Sequence, residues 1–436
     1  MTLAPPDNQG PTGTPPGPGA AGSAASEEPT IRPVVRQRQV QRERSRRRKR
    51  VLLAQAGATA LFVVVLLALS LVGWRSAMRI TGGSATVVTD PSAPGYIAPA
   101  KPTDVLLVAF EGDSTDGGAQ LATMLMVIEA AGGTTLVPVP SLTTLWEFEG
   151  SEPQTAAAVF ASGGIDVLRL RLGAELTFGP TDAVTAPVSM IDDLAAAVGP
   201  ITVALPDDVL AGTTAEDATV RYAAGPLVLE PGQVAEFMST QGFNESETNR
   251  ALRLELAWEA LVAGLAAVPP AQVAADGEDQ ERVAEMFESV ASAGDGEVRF
   301  DLVPMSGLTL YVEPPGVLYT VDAEAMPAWV AAEVPFPISA YPGQRARVEL
   351  LNGTPDAAAL QLVAPEIVSA GGEISFTGNA ESFDVEATRV EYTSPDAEAA
   401  ASEIAAALGV SATRSEDSVA EVDVVVVVGT DRSDEG

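Results

Sequence analysis

One stretch of the sequence limits what this chain can become: residues 51–74 include no charged side chain over 24 consecutive positions. A helix of that length extends about 36 Å, enough to cross a hydrocarbon core of roughly 30 Å. A run of Arg and Lys ends at Arg50, directly before it. Because positive charge flanks the cytoplasmic end of a membrane span, residues 1–50 are predicted to be cytoplasmic and the rest extracytoplasmic. A buried core helix and a cleaved signal peptide are the alternatives, and the fifty preceding residues favour an uncleaved anchor.

Charged residues are distributed unevenly along the chain. Residues 1–50 contain ten Lys and Arg against four Asp and Glu, whereas 55 acids oppose 15 bases from residue 51 onward, a net charge of −40. This acidic surplus repels nucleic acid, so the basic run is interpreted as a topology signal and a contact for anionic lipid. The chain has no Cys and no His. Disulfides, thiolate nucleophiles, Ser–His triads and His-based acid–base chemistry are therefore excluded.

Composition and apolar periodicity divide the chain into six segments. Pro and Gly dominate the first thirty residues, which cannot bury enough apolar surface to fold. Gly, Pro, Ser and Thr mark a linker after the span, and Pro335, Pro337 and Pro342 mark a later boundary. The predicted organisation is a disordered tail at 1–30, a basic juxtamembrane segment at 31–50, a transmembrane helix at 51–74, a linker at 75–102, an α/β layered domain at 103–335 and a C-terminal module at 345–430.

Helices alternating with strands predict the α/β layered architecture of residues 103–335. Continuous apolar runs of four to eight residues predict strands, and amphipathic runs ending on Gly predict helices. The predicted strands are 104–110, 123–130, 134–140, 201–205 and 308–314. The predicted helices are 155–162, 189–199, 246–268 and 281–293, of which the third is expected to be the longest outside the membrane.

In the C-terminal module, the same reasoning predicts the order β-α-β-β-α-β. This order indicates a ferredoxin-like split βαβ module. The predicted strands are 347–351, 372–378, 387–393 and 421–429, and the predicted helices are 355–370 and 397–408.

The C-terminal module resembles the LytR C-terminal domain. The resemblance is carried by RVELLNGT at 347–354, TRVEY at 388–392, LGV at 408–410 and DVVVVVG at 423–429. An anchor, an α/β domain and this module, in that order, are similar to the LytR-CpsA-Psr envelope proteins. The resemblance implies a catalytic domain that transfers a glycopolymer from a polyprenyl-linked pyrophosphate donor onto peptidoglycan. In that chemistry arginines clamp the pyrophosphate, and acids hold a divalent cation and position the acceptor.

The central domain resembles a degenerate form of that catalytic domain. The family pattern is Gly-x-Asp-x-Arg, Arg-Ser-Asp-Thr-Met, Pro-Arg-Asp, Arg-x-Arg and Arg-x-x-Arg. Here Asp113 matches the first acid, and Arg250 and Arg253 match the last pair. At the other charged positions of the pattern the chain has neutral residues, namely Thr115, Gln120, Ala122, Ser141, Leu142, Ser239 and Gln241.

Asp113, Arg250 and Arg253 are therefore the candidate residues for binding an anion or a polyprenyl phosphate. For the two arginines, the favoured alternative is pairing with nearby acids such as Glu247 or Glu255 on a solvated helix face. No catalytic residue and no metal ligand are predicted.

Two further groups of residues have a functional and a structural interpretation. Asp113 and Asp116 could hold a cation, but an acidic Gly-containing loop is more often a plain turn. Trp146, Glu147 and Glu149 could line a sugar site, but a packed surface aromatic is the favoured interpretation.

These observations favour a catalytically inactive, single-pass envelope protein that binds wall glycopolymers or partner enzymes. The alternative is an active glycopolymer–peptidoglycan transferase with a rearranged site, and only that alternative would require Mg²⁺ or Mn²⁺. No other cofactor is predicted. A structural spacer without a ligand is a third hypothesis. The expected partners are the membrane, through residues 51–74, and wall glycopolymers or envelope enzymes, but not nucleic acid.

Overall fold

The computed structural model describes residues 88–432, with gaps at 114–118, 148–150, 244, 269–276, 294–296, 311–315 and 416–421. The predicted tail, juxtamembrane segment and membrane span lie outside these residues. Among the helices of the described part, none is long and apolar enough to cross a membrane. The described residues all belong to one compact unit, Ser76–Gly436.

A five-stranded mixed sheet forms the centre of the larger domain, in the order β11-β3-β2-β1-β6. Strand β1 is antiparallel to β2 and parallel to β6, and β3 is antiparallel to β2 and parallel to β11. The strands β1 to β13, in chain order, are Asp104–Asp113, Ala119–Ala130, Gly133–Val139, Thr144–Leu145, Gln154–Thr155, Asp182–Pro187, Ile201–Leu205, Val209–Ala211, Thr219–Tyr222, Gly225–Leu229, Val298–Phe300, Met305–Leu310 and Gly316–Val321.

Helices cover both faces of this sheet. Alternate residues of β1 enter two different apolar clusters: Leu107 packs on the side of α1 and α6, and Val108 packs on the side of α2 to α5. Burial on both faces explains why the strand is apolar without alternation. The predicted α/β layering is thus confirmed. The helices α1 to α6 of this domain are Ala156–Leu176, Ser189–Val198, Pro231–Ser239, Glu247–Ala266, Glu278–Ser292 and Met326–Glu333.

Helix α1 consists of two helical segments joined at a kink, of which the sequence predicts only the first. Helix α4, with 20 residues, is the longest uninterrupted helix of the described part, so the expectation for the helix near 246–268 is confirmed there. The predicted helix stops at residue 162 because Gly163 and Gly164 interrupt the pattern. Gly164 has φ 71° and kinks the helix, but apolar residues such as Leu168 and Leu172 continue it against the sheet.

The C-terminal module has the predicted strands and helices and one further strand, Ala412–Arg414, but not the predicted topology. Its sheet order is β15-β14-β18-β16-β17, and β14 pairs directly and in parallel with β15. A ferredoxin-like split βαβ would place another strand between these two, so that prediction is wrong. The last strand, β18, instead lies between two adjacent βαβ units, parallel to β14 and antiparallel to β16. The elements are β14 Ala346–Asn352, α7 Ala359–Ser369, β15 Gly372–Asn379, β16 Arg389–Tyr392, α8 Glu398–Ala407, β17 Ala412–Arg414 and β18 Val424–Val428.

The segment between the two modules is fixed to both of them. Ile338 accepts a hydrogen bond from the Gly179 amide, and the Ser339 amide donates to Glu373. The Gln344 amide group donates to the carbonyls of Gly173 and Ala174 at the end of α1. One apolar cluster includes side chains of both modules.

Residues 88–102, in the predicted linker, are held along the C-terminal module. Asn379 exchanges two hydrogen bonds with the backbone of Ile97, at 3.0 and 3.1 Å. The Asn352 amide donates to the Gly95 carbonyl at 2.7 Å. Gly95 has φ 82°, and a Cβ there would lie 2.2 Å from the Thr354 carbonyl oxygen. The composition suggests a free tether, but amide side chains of the module bind its backbone.

Candidate functional site

An open cavity of about 460 Å³ lies at one edge of the larger domain. It is bounded by the end of β1, the start of β2, the loop after β3, the end of α3 and the first turn of α4. Its lining residues are Gly112, Gln120, Leu121, Ala122, Ser141, Leu142, Ala157, Val188, Ala235, Glu236, Ser239, Gln241 and Arg250.

Seven of the positions at which the family pattern expects charge line this cavity. They come from four separate segments of the chain, represented by Gln120, Ser141, Ser239 and Arg250. Three of these four side chains are uncharged. Among the described lining residues, Arg250 and Glu236 alone are ionisable, and Glu236 forms an ion pair with Arg221. The cavity therefore has one guanidinium that is not neutralised at close range.

Arg250 is buried without being saturated. The residue is 2% exposed, its Nη2 donates to the Ala122 carbonyl at 3.4 Å, and its Nε has no hydrogen-bond partner. Burial lowers the pKa of Arg250, and the nearby Glu247 carboxyl opposes that shift. A guanidinium nevertheless stays protonated in proteins.

Glu247, one turn before Arg250, is also buried and incompletely paired. It is 4% exposed, and its Oε2 has no hydrogen-bond partner. Burial raises the pKa of Glu247, while the charge of Arg250 and the Leu142 amide partly offset the rise. No hydrogen bond or ion pair joins Glu247 to Arg250 among the described contacts.

Arg253 is saturated by the protein itself. Its Nε and Nη2 donate to the two carboxylate oxygens of Glu245 at 2.7 and 2.9 Å. Its Nη1 and Nη2 also donate to the carbonyls of Phe237 and Thr240, at 2.6 and 2.7 Å. Burial would raise the pKa of Glu245, but Arg253 and the Gly242 amide outweigh it and hold the pKa below the usual range. Arg253 fastens the loop before α4 to the end of α3.

The structure separates the three candidate residues. Arg250 lines the cavity, whereas Arg253 is occupied by Glu245 and is not among the lining residues. Asp113 is the last residue of β1, and its side chain lies outside the described part, as does all of Asp116. Both arginines are 2% exposed, so neither lies on a solvated helix face.

The other arginines near this domain edge have partners elsewhere. Arg169 donates to the Pro180 carbonyl at 3.1 Å, and Arg171 pairs with Glu147 at 3.2 Å. Arg221 reaches the rim of the cavity through its ion pair with Glu236 and contacts the Tyr222 ring.

Trp146 and Glu147, which were considered for a sugar site, are not among the residues that line the cavity. The Trp146 amide donates to Glu175 at 2.9 Å, and burial raises the pKa of Glu175. Glu147 is paired with Arg171, and Glu149 lies outside the described residues.

A second, apolar cavity lies beneath β3 and α1, with lining residues that include Pro138, Leu172 and Val321. Its volume is only about 10 Å³, which is close to the minimum for a single water molecule. Across the described residues, no cluster of three or more acids or other ligating side chains is placed to hold a metal ion.

Sequence reasoning missed Glu245, which decides the role of Arg253. The available signal was an acid placed directly before the Ser246 helix cap, eight residues before Arg253. Helical spacing draws attention to Glu247 instead, because it lies three residues before Arg250.

The fold and the cavity define a mixed α/β protein with one buried, unsaturated arginine at an open site and a separate small α/β module. Residues 345–431 match the LytR_C family, described as the LytR cell envelope-related transcriptional attenuator. The C-terminal module therefore matches the LytR C-terminal domain, and this part of the resemblance predicted from the sequence is confirmed.

Solved structures to which the chain is similar include B. subtilis TagV, with 14% identity over 52% of this chain and 94% of that one, at a TM-score of 0.38. A LytR-Csp2A-Psr enzyme from Actinomyces oris is 14% identical over 56% of this chain and 96% of that one, at a TM-score of 0.39. TagT bound to LIIa-WTA is 11% identical over 56% and 93%, at a TM-score of 0.38. No curated protein matches the chain by sequence.

Proposed function

We propose that this chain is a membrane-anchored envelope protein whose LytR-CpsA-Psr-like domain does not transfer glycopolymers. It takes part in cell-wall glycopolymer attachment or assembly by binding wall components or partner enzymes. The observation that carries this proposal is the cavity itself. The segments that supply the family's arginines and acids converge there, but three of the four contribute neutral side chains to its lining.

The binding free energy lost with the missing charges is large compared with the total binding free energy of a substrate site. A hydrogen bond to a charged group contributes about 1.5–3 kcal/mol. Four of the replaced arginine positions line the cavity, namely Gln120, Ser141, Ser239 and Gln241. Losing four arginine contacts removes roughly 6 kcal/mol or more, which corresponds to about four orders of magnitude in affinity. Arg253 cannot replace them, because turning it toward the cavity would leave Glu245 buried and unpaired.

The direct test is a transfer assay with the full-length chain in detergent. It is given a polyprenyl-pyrophosphate-linked glycan donor and peptidoglycan acceptor, with Mg²⁺ or Mn²⁺ present. We expect no transferred glycan, while an active LytR-CpsA-Psr enzyme in the same detergent serves as the positive control. Metal-dependent transfer by this chain would refute the proposal.

The alternative is an active transferase with a rearranged site around Asp113, Arg250 and Arg253. One observation favours it: Arg250 is buried, lines the open cavity and has an unpaired Nε. It predicts transfer that is lost in Arg250→Gln and kept in Arg282→Gln, a control at an exposed arginine paired with Asp182.

The proposed topology has its own test, because the chain has no Cys. Ser402→Cys places a thiol on the exposed face of α8, and Ser23→Cys places one in the predicted cytoplasmic tail. A membrane-impermeant maleimide added to intact cells is expected to label the first variant and not the second. Labelling of Ser23→Cys alone would reverse the orientation, and labelling of neither or both would also contradict the proposed topology.

A further inference from the structure

We infer that the cavity is a binding site for a saccharide unit with a single carboxylate, such as a hexuronic acid, and that the carboxylate pairs with Arg250. This inference rests on the proposed function, because it gives the domain a ligand in place of a pyrophosphate substrate. Four features of the site support it.

The first feature is the unsatisfied guanidinium. Arg250 is 2% exposed and lines the cavity, yet its one hydrogen bond is 3.4 Å long and its Nε has no partner. Buried polar groups are almost always hydrogen-bonded, and a buried charge normally has a counter-charge. Glu247 forms no ion pair with Arg250 among the described contacts, since its Oε2 and the Nε of Arg250 both lack a hydrogen-bond partner. The missing partner is therefore an anion that enters through the cavity.

The second feature is the amount of charge. Among the described lining residues, Glu236 is the remaining ionisable group, and Arg221 neutralises it. One guanidinium balances one carboxylate, and its planar donors fit the two oxygens of that group. A pyrophosphate has more negative charge than this site can neutralise.

The third feature is the chemistry of the remaining wall. Gln120, Ser141, Ser239 and Gln241 supply amide and hydroxyl groups, which can both donate to and accept from sugar hydroxyls. Leu121, Leu142 and Val188 supply apolar surface for the C–H face of a sugar ring.

The fourth feature is size. The volume of about 460 Å³ lies within the range of small-molecule sites, roughly 300–1,000 Å³. The cavity opens to solvent, as a site for one unit of a longer polymer requires.

The test uses two probes that differ only at one group: methyl β-D-glucuronide, which has a carboxylate, and methyl β-D-glucoside, which has a hydroxymethyl group. Calorimetric titration of the full-length chain in detergent is expected to show that the glucuronide binds about tenfold more tightly, or better, as a hydrogen-bonded charge pair predicts. Inorganic pyrophosphate is expected to bind more weakly than the glucuronide.

Three variants locate the effect. Arg250→Gln should remove the preference for the glucuronide while the variant still binds the glucoside measurably, a result that general loss of folding cannot produce. Arg282→Gln, with the same charge change at an exposed site, should keep the preference. Gln241→Ala, at an exposed rim residue, should weaken both sugars alike.

Equal binding of the two sugars, binding of neither, tighter binding of pyrophosphate, or a preference that survives Arg250→Gln would each overturn the inference. These outcomes are independent of the transfer assay: transfer activity would defeat the proposed function, whereas the sugar preference tests the ligand of the cavity.

Discussion

In the C-terminal module the buried side chains of Asn352 and Arg345 are hydrogen-bonded to other parts of the protein, whereas in the cavity of the larger domain a buried arginine is not fully hydrogen-bonded. In the module, Asn352 is fully buried, its amide donates to Gly95 and Asp356, and its oxygen accepts from Thr354. Arg345, whose pKa burial lowers to about 10, donates to three backbone carbonyls at 2.9 Å. In the cavity, Arg250 is equally buried and keeps an unpaired Nε.

Buried polar residues whose hydrogen bonds are all made within the protein stabilise the fold, whereas a buried residue with an unpaired donor is available to a ligand. A saturated cluster such as that around Asn352 contributes to stability, and the motif NGT is explained by it. An unsaturated group costs stability unless a partner arrives. The following predictions compare the two kinds of residue, from the largest expected effect to the smallest.

Arg253→Ala should lower the free energy of unfolding by about 3–5 kcal/mol, because it leaves the Glu245 carboxylate buried without its partner. Urea unfolding followed by tryptophan fluorescence measures this. Arg389→Ala is the control: Arg389 is 55% exposed in its pair with Glu391, and its loss should cost at most about 1 kcal/mol. Similar losses in both variants would contradict the assignment of Arg253 to the fold.

Asn352→Ala should cost about 1–3 kcal/mol, since several backbone groups lose a buried partner. The same change should release the Gly95 segment, detected as faster amide hydrogen exchange in residues 95–100. Asn249→Ala, at an exposed position of α4, should change neither quantity. Unchanged exchange at 95–100 in Asn352→Ala would show that the segment is held by other contacts.

Arg250→Met should leave stability within about 1 kcal/mol of the parent or raise it, because an unpaired buried charge is replaced by an apolar chain. The contrast with Arg253, three residues away on the same helix, is the sharpest test of the comparison. A loss of about 3 kcal/mol or more would place Arg250 among the structural residues instead.

Glu349 gives a prediction for pH. The residue is 6% exposed in β14, and burial raises its pKa above the ordinary value of 4.5. A raised pKa in the folded chain favours the protonated form, so the contribution of Glu349 to stability is full below pH 4.5 and is lost as pH rises through the folded value. Glu349→Gln should therefore be more stable than the parent at pH 7 and equal to it at pH 4. Glu403→Gln, at an exposed site of α8, should show no such dependence.

The sequence predicts the elements of this fold better than their pairing. The runs at 104–110 and 424–428 are apolar because both faces of their strands are covered, and this signal is local. Whether β14 pairs with β15 or with an intervening strand depends on contacts across the whole module, and no local pattern records it. The second part of α1 could not be predicted, because glycines such as Gly163 and Gly164 are found both at helix ends and at kinks within helices.

At the site, the resemblance singled out positions of which several, Arg250 among them, line one cavity, whereas Arg253 does not. It could not distinguish Arg250 from Arg253, which have the same residue type, helix and burial. Their roles differ because Glu245, on the loop before α4, reaches one guanidinium and not the other. The path of the loop, and not the spacing along the helix, determines which of the two arginines Glu245 contacts.

The central proposal is that the described lining of the cavity, with a single unpaired guanidinium, has too little positive charge to hold a pyrophosphate. The most direct measurement is a titration of the full-length chain with geranylgeranyl pyrophosphate in the presence of Mn²⁺, alongside a variant with Gln120→Arg, Ser239→Arg and Gln241→Arg. The account predicts no saturable binding by the parent chain and a gain of binding in the triple variant. Micromolar binding by the parent chain, abolished by Arg250→Gln, would contradict it.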